Sequence, residues 1–572
     1  MPQNAPLRVT LNGIARKGPG FGFRFAGRDV TGFAGESLAA ALVAEGELAL
    51  RQTAQGDRRG IYCGMGVCGD CSVLVNGQLR RACMTAAAPG LDVQPLPARR
   101  GVVAADPAPT AGKTLEADLL IIGAGPAGLA AARAAGGAGL RVIIADERKS
   151  PGGQYFKQPG SGFAVTETAL DAQFAAGRRL IGAVAATPAR LCSETSVWSA
   201  RTEDDVIVAD MSGPDGPLQV RARRLVIATG AMERPWVVPG WTLPGVMTVG
   251  AAQTLLRSGS VAPGRRVVVA GNGPLGLQLA AELLMAGIDV VAVADRAPRP
   301  GLAQAGAALA MLSADPRLVA AGIGHLARLA RAGVPMLWGH EVTTIAGNDH
   351  VSGVTFAPTG GGRPRQFAID ALAIGNGFQP QAELARALGC ALGWHDGTAR
   401  VVRDDDGRTS VTTVFVAGDG GGLGGAQAAL AQGWLAGAAA ARDLLGHLPA
   451  ALAAENDTQR AALARARRFQ GGLWRLFAAP AAAPPAGETL LCRCEAVSAG
   501  AVDALLAQGL CDPGSIKRAT RLGMGRCQGR YCAPLLAARL ADGRVPAETD
   551  LFAPRPPFKP ASIASIAAGP PQ

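Results

Sequence analysis

The apolar positions of this chain carry one pattern twice. Leu119 to Ile122 form an unbroken apolar run that reads as a buried parallel strand, the glycines of GAGPAG (123–128) open a helix, and a second apolar run ends at Asp146 and Glu147. Residues 266–276, RVVVAGNGPLG, repeat the strand, turn and helix start, and the run VVAVAD then ends at Asp295, nineteen residues beyond Gly276. Further strand-like runs end in glycine at RLVIATG (224–230), DALAIGNG (370–377) and TTVFVAGDG (412–420). This alternation predicts an α/β chain with two dinucleotide-binding folds.

Outside the duplication the pattern changes. LRVTLNG (7–13) and FRFAG (23–27) look like the arms of a hairpin, and a helix-like run spans Ser37 to Leu50. Residues 96–116, and those after a basic, Ala-rich helix near 450, are rich in Pro and Ala without a period, which marks linkers. The expected division is a small N-terminal domain (1–95), a linker (96–116) and the first half of a flavin domain (117–240). A second dinucleotide domain (241–365), the second half of the flavin domain (366–448), a helix and linker (449–487), a small C-terminal domain (488–542) and a tail (543–572) that wraps or frays complete it.

The glycines have distinct tasks. Gly123 allows the tight turn, Gly125 lets backbone N–H groups approach a pyrophosphate, and Gly128 lets the helix pack on its strand, so that the helix start at Pro126 and Ala127 faces the phosphates. Asp146 or Glu147 then bonds the ribose hydroxyls. Gly153 and Gln154 follow in a loop set against ribose and flavin, and Thr229 and Gly230 mark the passage to the second nucleotide domain. Gly418 and Asp419 end a strand before a helix, with Asp419 placed to accept a ribityl hydroxyl. The expected cofactor is FAD; a ligand-free glycine turn, and at Asp419 a capped strand-to-helix turn, are the plain alternatives. At Gly271, Gly273, Gly276 and Asp295 the acidic residue favours NAD or another adenine nucleotide over NADP. Arg296 blurs that distinction, and a motif that only shapes the fold is the rival.

Composition narrows the class. Of 572 residues 48% are hydrophobic, 17% are charged and 78 are Gly, as in an Ala/Gly-rich globular protein. No run of eighteen uncharged apolar residues and no signal-like start occur, so the expectation is a cytoplasmic chain without a transmembrane segment, peripheral to the inner membrane at most through its electron acceptor. A net charge of +12 raises nucleic acid as a partner, but arginines such as Arg465, Arg467 and Arg468 are scattered among few aromatics, so none is expected. The five histidines (325, 340, 350, 395, 447) are dispersed outside the flavin motifs, and no catalytic acid/base set is expected.

Eight of the eleven cysteines fall into two groups. Cys63, Cys68, Cys71 and Cys83 have the C-x4-C-x2-C spacing, with a later fourth cysteine, of plant-type [2Fe-2S] ligation. Zinc is the rival, but structural zinc ligands usually come as two knuckle pairs. Cys492, Cys494, Cys527 and Cys532 offer two ligands from each of two loops, which suits a second [2Fe-2S] cluster, though spacing alone separates it less well from zinc. After the first dinucleotide motif the next cysteine is Cys192, alone. Disulfide-reductase chemistry needs a close pair there and is set aside, while its glutathione-reductase-like scaffold is kept.

The order of these modules, closing in CRCE and GMGRCQGRYC, resembles the α subunits of heteromeric FAD-dependent amino-acid, opine and hydroxyproline dehydrogenases. It is also similar to hydrogen cyanide synthase and, more distantly, to the α subunit of sarcosine oxidase. The resemblance implies a β-grasp ferredoxin domain fused at the N-terminus, FAD, and [2Fe-2S] clusters on both tetrads. It further implies a hetero-oligomer in which a D-amino-acid-oxidase-like FAD β subunit oxidises the amine and this chain relays electrons through a flavin flanked by two clusters to an external acceptor. A stand-alone NAD(P)H-dependent reductase and a redox- or iron-sensing module are the alternatives.

Overall fold

The structure is a computed structural model and describes residues 7–98, 112–395 and 397–567. At its centre the strand Lys113–Ile122 pairs in parallel with Val142–Ala145 on one side and Gly216–Ile227 on the other. Val414–Val416, far along the chain, completes the seven-stranded sheet beside Gly216–Ile227. Leu119 and Ile121 face the helices Pro126–Gly137 and Gly425–Leu445, whereas Leu120 and Ile122 face a second core with Leu384 and Val401. A strand buried on both sides has no polar face to alternate with, hence its unbroken apolar run. It starts at Lys113, inside the stretch expected as linker; residues 99–111 of that stretch lie outside the described ones.

The second sheet is five parallel strands in the order Val246–Thr248, Ala371–Ile374, Arg266–Gly271, Asp289–Asp295 and Met336–Trp338. Ala371–Ile374 belongs here and not to a flavin domain resuming at 366, as expected from sequence. An apolar run ending in glycine suits either sheet, and only the pairing decides.

In the N-terminal domain Phe21–Phe25 pairs antiparallel with Arg28–Gly32 and parallel with Asp92–Pro95, in a five-stranded sheet that packs on the helix Leu38–Ala44. Ser37 caps this helix, accepting from Ala40 N at 3.1 Å, and the helix stops short of the expected Leu50. The expected hairpin between 7–13 and 23–27 does not form. Leu7 and Val9 instead bury themselves beside the second dinucleotide domain, where Val9 N donates to Ser260 O at 2.9 Å. Phe23, Leu38 and Leu42 share one core with Met247, Leu255 and Leu279, so the two domains are packed together as one body.

The helix Ala450–Leu476 packs against Gly425–Leu445 and Ala305–Ala314. Beyond it Phe477 lies beside Trp338, ring centroids 6.3 Å apart, and Pro480 O accepts from Arg296 Nη2 at 2.6 Å. The C-terminal domain is a hairpin, Leu490–Cys492 with Val497–Ser498, and three helices around Leu491, Val502, Ile516 and Leu536. The tail wraps: Phe558 is buried in the flavin-domain core and donates its N–H to Trp198 O at 2.8 Å. Among the described residues no helix is long and apolar enough to cross a membrane.

Candidate functional site

One cavity of about 1020 Å³ opens above the first dinucleotide motif. Gly123, Gly125, Pro126 and Ala127 line its floor, Asp146, Glu147, Gly153 and Gln154 one wall, and Thr229, Gly230, Gly418 and Asp419 another. Gly128 lies beneath, where its α-carbon passes so close to the turn that a Cβ would stand 1.8 Å from Gly123 O. Gly123 itself has φ +106°, a conformation that L side chains rarely adopt. The helix start therefore presents bare amides, as a pyrophosphate requires.

The two carboxylates at the end of the second strand have different neighbours. Asp146 turns back on the turn, accepting from Ala124 N at 2.6 Å and Arg148 N at 2.7 Å. Glu147 accepts from Ser196 Oγ at 2.6 Å and from Lys559 Nζ, on the returning tail, at 3.2 Å. Burial would raise the Glu147 carboxyl, but the Lys559 and Arg81 charges outweigh it and hold it down at about 2. Asp419 accepts from Gly424 N at 2.8 Å and Gly425 N at 3.0 Å through Oδ1, so it caps the start of the helix Gly425–Leu445.

The second motif is placed differently. Gly273 borders the cavity, whereas Gly271, Gly276 and Asp295 do not. Asp295 is 2% exposed, and its two oxygens accept from Gly273 N and Ala297 N; burial pushes its carboxyl up to about 6. Its neighbour Arg296 is held by Asn376 and by Pro480 of the linker.

The cavity also collects a buried polar chain that no local pattern announced. Lys157 Nζ donates to Gln154 O and Gln253 Oε1, both at 2.8 Å; Gln253 donates to Glu282, and Glu282 accepts from Arg257. Burial lowers the Lys157 ammonium to about 7 and raises the Glu233 carboxyl to about 7, so both can change charge near neutrality. Positions 157, 233, 253, 257 and 282 have no common spacing; the one local sign was Lys157, three residues past Gln154.

Within each domain the cysteines of the tetrad approach one another. Cys68 N and Asp70 N donate to Cys63 Sγ and Cys68 Sγ, both at 3.4 Å. Among the thiols Cys63 associates with Cys68 and Cys71 with Cys83; in the second site Cys492 meets both Cys494 and Cys532, and Cys494 also meets Cys527. Four thiols at each site are the donor set a [2Fe-2S] core takes. Among the described residues no three His, Cys, Asp or Glu are grouped to hold a single metal ion. Tyr62 Oη and Tyr531 Oη, beside the cysteines, are buried without a hydrogen-bond partner among the described residues, which leaves two donors for cluster sulfur. Cys63, Met65 and Val67 line the flavin cavity, and the two tetrads, from opposite ends of the chain, lie side by side rather than on either flank of it.

Comparison with known proteins agrees with this architecture. The pyridine nucleotide-disulphide oxidoreductase family matches residues 117–433, a 2Fe-2S iron-sulfur cluster binding domain 21–96, and a BFD-like [2Fe-2S] binding domain 490–542. An opine oxidase subunit of Agrobacterium tumefaciens (strain Ach5) is 36% identical over 465 residues, 79% of this chain and 91% of that protein. Hydrogen cyanide synthase subunit HcnB of Pseudomonas protegens is 32% identical over 462 residues, 77% of this chain and 95% of that protein. The crystal structure of L-proline dehydrogenase from P. horikoshii shares the fold, with a TM-score of 0.70 at 21% identity over 96% of this chain and 98% of that one. With an FAD domain between two [2Fe-2S] domains, the chain belongs to the pyridine nucleotide-disulphide oxidoreductase family, as an FAD oxidoreductase related to the opine oxidase subunits.

Proposed function

We propose that the chain is the electron-transferring α subunit of a multi-subunit FAD/[2Fe-2S] dehydrogenase acting on an amino acid, opine or related secondary amine in the cytoplasm. In this reading a D-amino-acid-oxidase-like FAD β subunit removes the electrons from the amine, and an external acceptor receives them from this chain. Bound FAD supplies a carrier that exchanges electrons in pairs or singly, and each cluster takes one at a time. The backbone N–H groups of Gly125 and Ala127 would face the pyrophosphate, Glu147 or Asp146 the ribose, and Asp419 Oδ2 a ribityl hydroxyl. Lys157 and Glu233 would hold or release the proton that accompanies flavin redox change. The observation that carries the reading is the contact of the flavin cavity with the cysteine loop at Cys63, Met65 and Val67, which gives a buried flavin a direct outlet to a one-electron carrier. The relatives' names as subunits of opine oxidase and hydrogen cyanide synthase support a partner chain.

Gly273 at the cavity, and Asn272 Oδ1, buried there without a hydrogen-bond partner among the described residues, favour a second reading, in which NAD or another adenine nucleotide sits at the second fold. Co-purification from the native host with mass spectrometry of the bound subunits, then anaerobic addition of amino acids and opines, tests the main proposal. Flavin and cluster absorbance is expected to bleach in the complex and not in the chain alone. A chain recovered without partners and fully active toward an amine refutes it.

A further inference from the structure

Arg493, between Cys492 and Cys494, donates from Nε to Asp70 Oδ2 at 2.6 Å, and Asp70 stands between Cys68 and Cys71, 423 positions away in the chain. The other Asp70 oxygen pairs with Arg51. Asp70 is 0% exposed and Arg493 4%, so this is a fully buried triplet of two cations and one anion. Around it the loops interlock. Cys494 Sγ lies 3.8 Å from Cys68 O, and the side chain of Arg526, next to Cys527, fills the space over Gly69. The Arg493 guanidinium lies 3.9 Å from the ring centroid of Tyr62 and 4.7 Å from that of Trp241, and Tyr62 meets Tyr531 edge-on at 5.6 Å.

A buried ion pair usually gives little stability over an apolar substitute of the same shape. Its worth here lies in geometry and charge. Asp70 accepts at once from Arg51 of its own domain and from Arg493 of the other cysteine loop, which fixes the approach of one loop to the other, and the triplet leaves a net positive charge between the two sites.

We propose that the two iron–sulfur sites are consecutive carriers in series, and that Arg51, Asp70 and Arg493 are the positioning residues that set the gap between them. The order follows from the cavity: Cys63 of the N-terminal tetrad borders the flavin site, and among the described residues no cysteine of the C-terminal tetrad does. Passing an electron from the N-terminal site to the C-terminal one would form and break no bond, and the external acceptor of the relay reading, on which this inference rests, would remove it. The flavin then feeds a single line rather than a fork.

The test uses the full-length holoprotein without any partner, with iron and sulfide quantified, reduced by dithionite and observed by low-temperature electron paramagnetic resonance. Signals split or broadened by mutual spin interaction are expected; two sharp, independent signals at full cluster content overturn the series. In Asp70→Asn, loss of a negative charge beside both sites is expected to raise both midpoint potentials and to weaken the interaction; unchanged potentials and splitting overturn the positioning role. If that variant loses a cluster, Arg493→Lys decides: it keeps the charge but not the fork, so near-normal potentials with a weakened interaction support the role, and an unchanged interaction overturns it. None of these readouts needs an amine or a β subunit, so the relay reading can fail separately.

Discussion

At Gly128 a single hydrogen atom decides whether the first dinucleotide turn closes. A methyl group there would stand 1.8 Å from Gly123 O, which belongs to rigid backbone, whereas the same group at Gly276 would meet only Val269 Cγ1 at 3.4 Å, an ordinary contact. Gly128→Ala is therefore expected to cost about 1–3 kcal/mol as overpacking and to lose FAD, with Gly276→Ala close to wild type; flavin content per chain and thermal melts check both. Glu233 yields a pH prediction. Burial raises its carboxyl from an ordinary 4.5 to about 7, so across that window the folded chain holds a proton that the unfolded chain has released. The stability it contributes falls as pH rises from about 4.5 through about 7 and stays low above. Glu233→Gln keeps an acceptor for Gly250 N and removes the charge, so its melting temperature should gain on wild type from pH 5 to pH 8. A constant difference would argue against that buried carboxyl. Sequence reasoning found the glycines because a tight turn restricts residue type locally, and missed Glu233 and Lys157 because their burial is set by neighbours distant in the chain.

The helices Pro126–Gly137 and Gly425–Leu445 show how elements hold the flavin site. Gly433 and Gly437 bring the second helix onto the first so closely that a Cβ would lie 2.0 Å from Ala127 O and 2.3 Å from Ala131 O. This contact places Asp419 and the start of the second helix over the first motif. Gly437→Leu is expected to push the helices apart, lower the unfolding free energy by about 1–3 kcal/mol and speed FAD release, read by denaturant midpoint and flavin fluorescence. The helices were legible from their apolar pattern and glycine starts, but their contact was not. The strand Ala371–Ile374 teaches the same lesson: its type was plain, and its sheet was settled only by pairing with Arg266–Gly271.

In the whole molecule the second dinucleotide fold supports as much as it could bind. It shares a core with the ferredoxin-like domain, and the linker from Phe477 to Pro480 lies across Trp338 and Arg296. Rapid anaerobic mixing of the isolated chain with NADH is accordingly expected to leave the flavin oxidised; fast bleaching would instead establish the stand-alone reductase. The sequence alone determined what is local. Glycine turns and cysteine loops confine their residues within a few positions, so the two dinucleotide folds, the two tetrads and the missing disulfide pair could be read directly. Tertiary structure alone decided which parts meet, because contacts such as Asp70 with Arg493 join segments whose spacing along the chain carries no trace of them. Only folding brought both tetrads to one side of the flavin cavity, the tail lysine to Glu147, and the linker to Arg296.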